Sequence, residues 1–481
     1  MQEVANAAVE AAKKAGADYA DARYIREQSE GLTVRNQEME GIDRSRSEGL
    51  GVRVLVNGYW GFAASARIGE RDIERTASLA TEIARAAARL PGEPVRLAPV
   101  EPVTNRWATP VQEDPFTVSL DEKVSLLMEA TRRMQGAKGL AFAEGSLDFF
   151  RTRVAFASSE GAAIEQEITH SGGGIEATAI GDGELQRRSF PNSFRGHHAA
   201  AGYEHIRTLG VIEEAERVAT EALELLSAPD CPSEETTLIL DSQQMVLQVH
   251  ESIGHPIELD RVLRMEEAYA GTSFLSLDDR GKLRYGSDKV SVTADASLPG
   301  GLGTFGYDDE GVPAQRVAII EGGVFRDFLS SRETAAAIGA GSNATMRADG
   351  WENLPLIRMT NISLEPGEGT LAELIGDTKD GIFMSTNTSW SIDDKRVNFQ
   401  FGTEIAWRIK EGKLTEMYRN PNYTGITWEF WGSCDAVCGP EEWTVWGTPN
   451  CGKGQPGQVA RVGHGTSPAR FRNVRVGVRG R

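Results

Sequence analysis

His250-Glu251-Ser252-Ile253-Gly254-His255 puts two imidazoles and a carboxylate within six residues. Such groups suit a metal centre: imidazole binds zinc, and a carboxylate beside it can move the proton of an activated water. The familiar zinc-protease spelling, H-E-x-x-H, uses i and i+4 to set both rings on one helix face. Here the spacing is i and i+5, which at about 100° per residue leaves the side chains about 140° apart on a regular helix. The rings can share one ion if the helix widens to a π-turn, or if it unwinds at Gly254 and lets His255 swing back. Pro256 predicts a helix end at His255, because the residue before proline avoids the α region. The plain alternative is a helix with two ordinary histidines, one buried and one exposed.

A catalytic zinc needs a third protein ligand and an open fourth position. Glu258, three residues after His255, is one candidate, and spacing alone favours it. The other is Cys451, in the glycine-rich Pro449-Asn450-Cys451-Gly452-Lys453-Gly454-Gln455, where Lys453 and loop amides can lower a thiol's pKa. A rival set is Cys434, Cys438, Cys451 and His464, a C-x3-C-x12-C-x12-H pattern that resembles a structural zinc module. Trp443–Trp446 within it reads instead as part of a β-hairpin. Gly301-Leu302-Gly303-Thr304-Phe305-Gly306 spells G-x-G-x-x-G, but Asp308, Asp309 and Glu310 follow where a phosphate-binding helix would start, and they would repel a pyrophosphate. His197-His198 reads as a surface pair, and Cys231 as an inert residue of a linker.

The elements that must position these residues fall into segments. Residues 1–90 read as helix, strands, helix: Gln2 to Ala15 is alanine-rich, Asn57-Gly58 marks a hairpin, and Ile73, Ala77, Ala80, Ala84 and Ala87 share a helix face. Residues 91–115 hold six of the 19 prolines and predict a stiff linker. Residues 116–228 repeat the plan, with a helix from about Leu120 to Gln135, alternating stretches broken at Gly172–Gly174, and a closing helix through Val211, Ala215, Val218, Ala222 and Leu225. From 233 to 481 the chain is turn-rich and β-rich, with one clear helix from about Ser242 to His255. The fold class predicted is α+β, with tandem units followed by a large β-rich domain that carries the H-E-x-x-x-H helix.

Composition limits the partners. The 481 residues are 40% hydrophobic and 25% charged, as in ordinary soluble proteins. With 51 basic and 70 acidic residues the net charge is −19, which disfavours direct nucleic-acid binding. No apolar run approaches the ~20 residues that span a bilayer, and the first residues lack the apolar core of a signal peptide. Four cysteines do not make a disulfide scaffold. The expectation is a cytoplasmic, multi-domain protein with no membrane partner.

His250 to Asp260, reading H-E-S-I-G-H-P-I-E-L-D, resembles the signature of the TldD branch of the TldD/PmbA proteins, once called modulators of DNA gyrase. Asn420-Pro421-Asn422-Tyr423-Thr424-Gly425-Ile426-Thr427 and the stretch from Asn450 to Gln458, with the closing Phe471-Arg472-Asn473-Val474, look like the same family. The resemblance implies a zinc metallopeptidase. By it, His250, His255 and Cys451 hold the metal, Glu251 is the catalytic carboxylate, and Glu258 orients a ligand imidazole or serves as an alternative ligand. It also implies a homodimer, or a heterodimer with a PmbA/TldE-like chain, acting on short or unfolded polypeptides. The competing class is a non-catalytic regulator that binds a protein such as gyrase and carries a structural zinc. An intact H-E-x-x-x-H would have no purpose in such a scaffold.

Overall fold

Alanine at every third or fourth position gives two helices that can pack closely on a sheet. In the computed structural model, which describes residues 1–181, 183–269 and 271–477, α1 (Gln2–Ala15) buries Ala5, Ala8, Val9 and Ala12, and α2 (Glu70–Ala87) buries Ile73, Ala77, Ala80 and Ala84. Between them lie the antiparallel strands β1 (Tyr19–Arg35), β2 (Glu38–Val56) and β3 (Tyr59–Ser65). The β2–β3 turn is Asn57-Gly58, with φ of 53° and 82°. Positive φ at both central residues is what a tight hairpin turn demands, and asparagine followed by glycine tolerates it best.

The proline-rich stretch expected to be only a linker contributes β4 (Thr104–Ala108). The second unit follows as α3 (Leu120–Met134), β5 (Leu140–Ser158), β6 (Ala163–Gly181), β7 (Glu184–Phe190), β8 (His197–Ala199), α4 (Glu204–Arg207) and α5 (Val211–Ser227). Both units share one eight-stranded sheet in the order β3-β2-β1-β5-β6-β4, with β7 and β8 also paired to β6. The join is the long antiparallel β1–β5 ladder, from Asp21 opposite Ser158 to Arg35 opposite Glu144.

Two local expectations are corrected. Gly172–Gly174 do not break a strand; they lie inside β6. A Cβ on Gly172 would meet the His198 ring at 2.1 Å, and one on Gly174 would meet the Gly196 backbone at 2.5 Å, so these glycines admit a crossing chain. The same crossing buries His198, which packs inside against Asp148 and is no surface residue.

The C-terminal half begins with β9 (Glu234–Leu240) and α6 (Ser242–Val249). Short strands follow: β10 (Val292–Asp295), β11 (Arg316–Glu321), β12 (Val324–Phe325), β13 (Met346–Arg347), β14 (Leu356–Ile357) and β15 (Ile362–Leu364). The chain then forms β16 (Asp380–Ile392), β17 (Asn398–Lys410), β18 (Lys413–Tyr418), β19 (Asn422–Ile426), β20 (Cys434–Val437), β21 (Thr444–Lys453), β22 (Gln458–Thr466) and β23 (Ala469–Val476). Strands β16, β9, β23, β19 and β17 pair in that order, and β17 returns to β16, closing a barrel to which β18 and β20 are added at β17 and β23. The fold is thus mixed α and β with a β-rich C-terminal half, as the sequence pattern predicts. Among the described residues, no helix is long and apolar enough to cross a membrane.

Helix α6 packs against β9, β16 and β22 and is buried from Gln244 to Val249. Asp241 caps it, accepting the Gln244 amide at 2.8 Å. Its two buried glutamines are reconciled with an apolar core by a relay. Gln244 donates to the Tyr423 hydroxyl (3.0 Å), which donates to Gln248 Oε1 (2.9 Å), whose amide donates to Ser252 Oγ (2.9 Å). The relay fixes the rotation of the helix, and with it the direction in which the next residues point.

Candidate metal centre

At His250 the helix changes pitch. His250–Gly254 form a π-turn, closed by the His255 amide donating to the His250 carbonyl at 3.1 Å, an i to i+5 bond. His255 keeps helical angles (φ −70°, ψ −42°) in spite of Pro256, so widening of the turn brings the rings together and unwinding at Gly254 does not. Gly254 is needed for packing: a Cβ there would lie 2.3 Å from Met359 Sδ. The two ring centroids are 4.8 Å apart with planes at 88°.

Cys451 completes the group. The sequence places it in a loop, but it lies on β21, just after a bulge that leaves Pro449 and Asn450 out of the ladder with β22. Its Sγ is 3.9 Å from His255 Nε2, and the three donor atoms of His250, His255 and Cys451 lie within 4.8 Å of one another. A tetrahedral zinc with bonds of about 2.3 Å to sulfur and about 2.0 Å to nitrogen separates S from N by about 3.6 Å. The spacing and the donor set, one thiol and two imidazoles, therefore fit such an ion.

Hydrogen bonds set the tautomers. His464 Nδ1–H donates to the Ile362 carbonyl (3.0 Å), so its Nε2 accepts from His250 Nδ1–H (2.9 Å) and leaves His250 Nε2 bare. His255 Nδ1–H donates to Glu258 Oε2 (3.0 Å), leaving Nε2 toward Cys451. Glu258 thus faces the ring nitrogen opposite Cys451. It is fully buried, accepts from Arg261 Nε at 2.6 Å and lies 3.4 Å from Lys453 Nζ. Burial alone would raise its pKa, but Lys453, Arg261 and His255 hold it well below the usual carboxylate range. If the His464 bond sets the His250 tautomer, His464→Ala should weaken metal binding by roughly 10–100-fold. His464→Gln, whose carbonyl can accept the same bond, should recover most of that loss in a chelator-competition titration.

Charge also separates Cys451 from the other thiols. Burial pushes Cys231, Cys434 and Cys438 up to about 12. Burial acts on Cys451 in the same direction, but the neighbouring His255 and Arg358 outweigh it and bring the thiol below its ordinary value. Lys453, expected from sequence to do this, is instead bound to Asp260 and the Ile357 carbonyl, each at 2.8 Å. The same burial lowers the pKa of His250 and takes His255 down to about 4.

The rival C-x3-C-x12-C-x12-H module does not assemble. Cys438 packs among Ile239, Leu374, Phe383 and Ile409, and His464 turns to His250. Among the described residues, His250, His255 and Cys451 form the one such group of potential ligands.

Glu251, expected from the sequence as the acid–base group, is buried and faces a cavity of about 280 Å³ that His250, His255 and Cys451 also line. Its Oε2 accepts from Arg396 Nη1 at 2.6 Å. Arg396 and His464 were missed as site residues by sequence reasoning. His464 was drawn into the rival cysteine pattern, and Arg396 sits in a polar turn, Asp393-Asp394-Lys395-Arg396, with no spacing signal.

Comparison with known proteins gives the family of the chain. Residues 233–478 match the model of the PmbA/TldA metallopeptidase C-terminal domain, 20–84 that of domain 1, and 113–226 that of the central domain. Metalloprotease MJ0996 of Methanocaldococcus jannaschii is 31% identical over 93% of this chain and 94% of its own. The zinc metalloprotease TldD homolog of Saccharolobus solfataricus is 22% identical over 87% and 88%. In fold, a DNA-gyrase-modulator protein of Thermotoga maritima superimposes with a TM-score of 0.76 at 16% identity, covering 98% of this chain and 99% of that one. TldE of Thermococcus kodakarensis gives 0.72 at 16% identity, covering 97% and 98%. A π-turn that joins two imidazoles to a distant thiol, in a chain matched along its length by these three models, makes it a member of the PmbA/TldA metallopeptidase family.

Proposed function

We propose that this chain is a zinc-dependent peptidase acting on short or unfolded polypeptides, with His250, His255 and Cys451 as metal ligands and Glu251 as the general base. The observation that carries the reading is the convergence of those three donors beside a carboxylate in one cavity. Zinc bound there would supply an acidic water and polarise the scissile carbonyl. Glu251 accepts the proton of the attacking water and returns it to the leaving nitrogen. Glu258 and His464 hold the ligand rings in the tautomers that leave Nε2 open, and the cationic pair Arg261 and Lys453 keeps Glu258 ionised for that task.

A strand edge supports this form of substrate. Among the described residues β21 pairs with β22 alone, and residues from Gly447 to Gly452 of β21 line the cavity. Pro449 sits on that edge, where a missing N–H removes no ladder bond. An extended peptide can add there through backbone hydrogen bonds with little sequence preference. The expected outcome is rapid cleavage of unfolded polypeptides and resistance of folded ones, whose strands are already paired. Time courses on one protein in its native and its reduced, denatured form check it, and faster cleavage of the native form overturns it. We propose a cytoplasmic protein that acts as a homodimer or paired with a PmbA/TldE-like chain; the shared fold with TldE is what suggests the pairing. Neither a nucleic-acid nor a membrane partner is invoked, in keeping with the net charge of −19.

A further inference from the structure

We propose that Arg396 is a catalytic residue that receives the negative charge developing on the substrate carbonyl oxygen, an inference that rests on the peptidase reading above.

Three observations carry it. Among the described residues that line the cavity, Arg396 is the single lysine or arginine. Its Nη1 is engaged by Glu251, but among the described residues its Nε is buried without a hydrogen-bond partner. Its backbone is held at φ 64°, which a residue with a side chain adopts only when its surroundings impose it. Those surroundings are specific. The Arg396 amide donates to the Asp393 carbonyl (2.8 Å), the Thr427 hydroxyl donates to the Arg396 carbonyl (2.7 Å), and Asp393 accepts from the amides of Val397 and Asn398 at 2.9 and 3.0 Å. The strained turn aims one guanidinium at the carboxylate next to the proposed metal ligands and leaves its Nε donor unused.

Charge balance says what that donor is for. A cation withdrawn from water needs an anion beside it at every stage. Before reaction that anion is Glu251. When Glu251 takes a proton from water, the resulting hydroxide oxygen bonds to the carbonyl carbon and the C=O π pair moves onto the carbonyl oxygen. Negative charge has then left Glu251 and appeared on the substrate, within reach of the same guanidinium. When the pair returns, the C–N bond breaks and the leaving nitrogen takes its proton from Glu251. The carboxylate is restored as the partner of Arg396. Donors fixed where charge develops stabilise a transition state more than a ground state.

The test compares Arg396→Gln and Arg396→Lys with wild type in four measurements: zinc content, kcat, KM, and affinity for a peptide phosphonamidate set against the parent peptide. The phosphonamidate mimics the tetrahedral anion. Arg396→Gln should lower kcat by ~10²–10³-fold, the range seen when one such donor is lost. KM and peptide affinity should change little, and phosphonamidate affinity should fall with kcat. Arg396→Lys, charged but without the planar fork, should fall between. Added guanidinium should restore part of the rate of Arg396→Ala. Equal loss of affinity for phosphonamidate and peptide would make Arg396 a ground-state binding residue and overturn the inference, as would an unchanged kcat. If Arg396→Gln loses zinc or fails to fold, the phosphonamidate-to-peptide affinity ratio of Arg396→Lys decides, and a wild-type ratio overturns the inference. A wild-type chain that hydrolyses peptides while the variants do too sinks this inference alone. A wild-type chain that neither hydrolyses peptides nor binds the phosphonamidate sinks the peptidase reading with it.

Discussion

Glu251→Gln should keep its metal and lose its turnover. The substitution preserves size, and the new Oε1 can still accept from Arg396 Nη1, which lies 2.6 Å from the carboxylate in the native chain. None of the three donors is touched, so zinc per chain should match wild type. An amide cannot take a proton at neutral pH, so hydrolysis should fall by the ~10²–10⁴-fold typical of losing a general base. The loss should be larger if the return of the proton to the leaving nitrogen also becomes limiting. Peptide affinity should hold, making the variant a substrate trap. Zinc content, peptide binding and hydrolysis measured on one preparation decide the matter. Near-wild-type hydrolysis removes Glu251 from the role, and loss of zinc makes it a ligand or a structural prop.

The second large effect is on metal content. His250→Ala, His255→Ala and Cys451→Ala each remove one corner of the donor set, and the remaining pair is too few for a stable tetrahedral site. Each variant should retain less than about one-tenth of the wild-type zinc after dialysis. Cys434→Ala and Cys438→Ala should retain all of it, because those thiols are buried among apolar side chains and burial pushes them up to about 12, far from a metal-binding thiolate. Metal analysis on the five proteins is enough. Retention of zinc by His250→Ala together with its loss from Cys434→Ala would reverse the assignment.

Much of this fold was readable because local patterns and global packing agree. The four-three spacing of Ile73, Ala77, Ala80 and Ala84 names the face of α2 that is buried, and Asn57-Gly58 names its turn. The π-turn was legible as one of two alternatives, since i and i+5 demand either a wider pitch or an unwound end. The turn also needs room beside Met359 for Gly254, a contact across 105 residues that no local pattern encodes. The order of the strands was not legible at all. Barrel closure depends on pairings such as Ile382 with Leu238, and a register of that kind leaves no mark on either strand alone. Likewise Cys451 read as a loop residue because Gly452 and Gly454 flank it, whereas a partner strand, β22, makes it β. Its place as third donor came from family resemblance, since spacing alone favoured Glu258.

The order in which the chain brings these parts together has a consequence in time. Cys451 follows His255 by 196 residues, and β9, which leads into the helix of His250 and His255, takes its antiparallel partner from β23. At a synthesis rate of about 5–20 residues per second, about 10–40 s pass between the two donors leaving the ribosome. Through that interval the emerging chain has its carboxylate and both imidazoles but no thiolate, and its barrel stands open. Unfinished copies are unfolded polypeptides, the kind of substrate proposed for the finished protein. On the peptidase proposal, the late arrival of Cys451 keeps a half-made chain from cutting its neighbours at the stage when they are most easily cut.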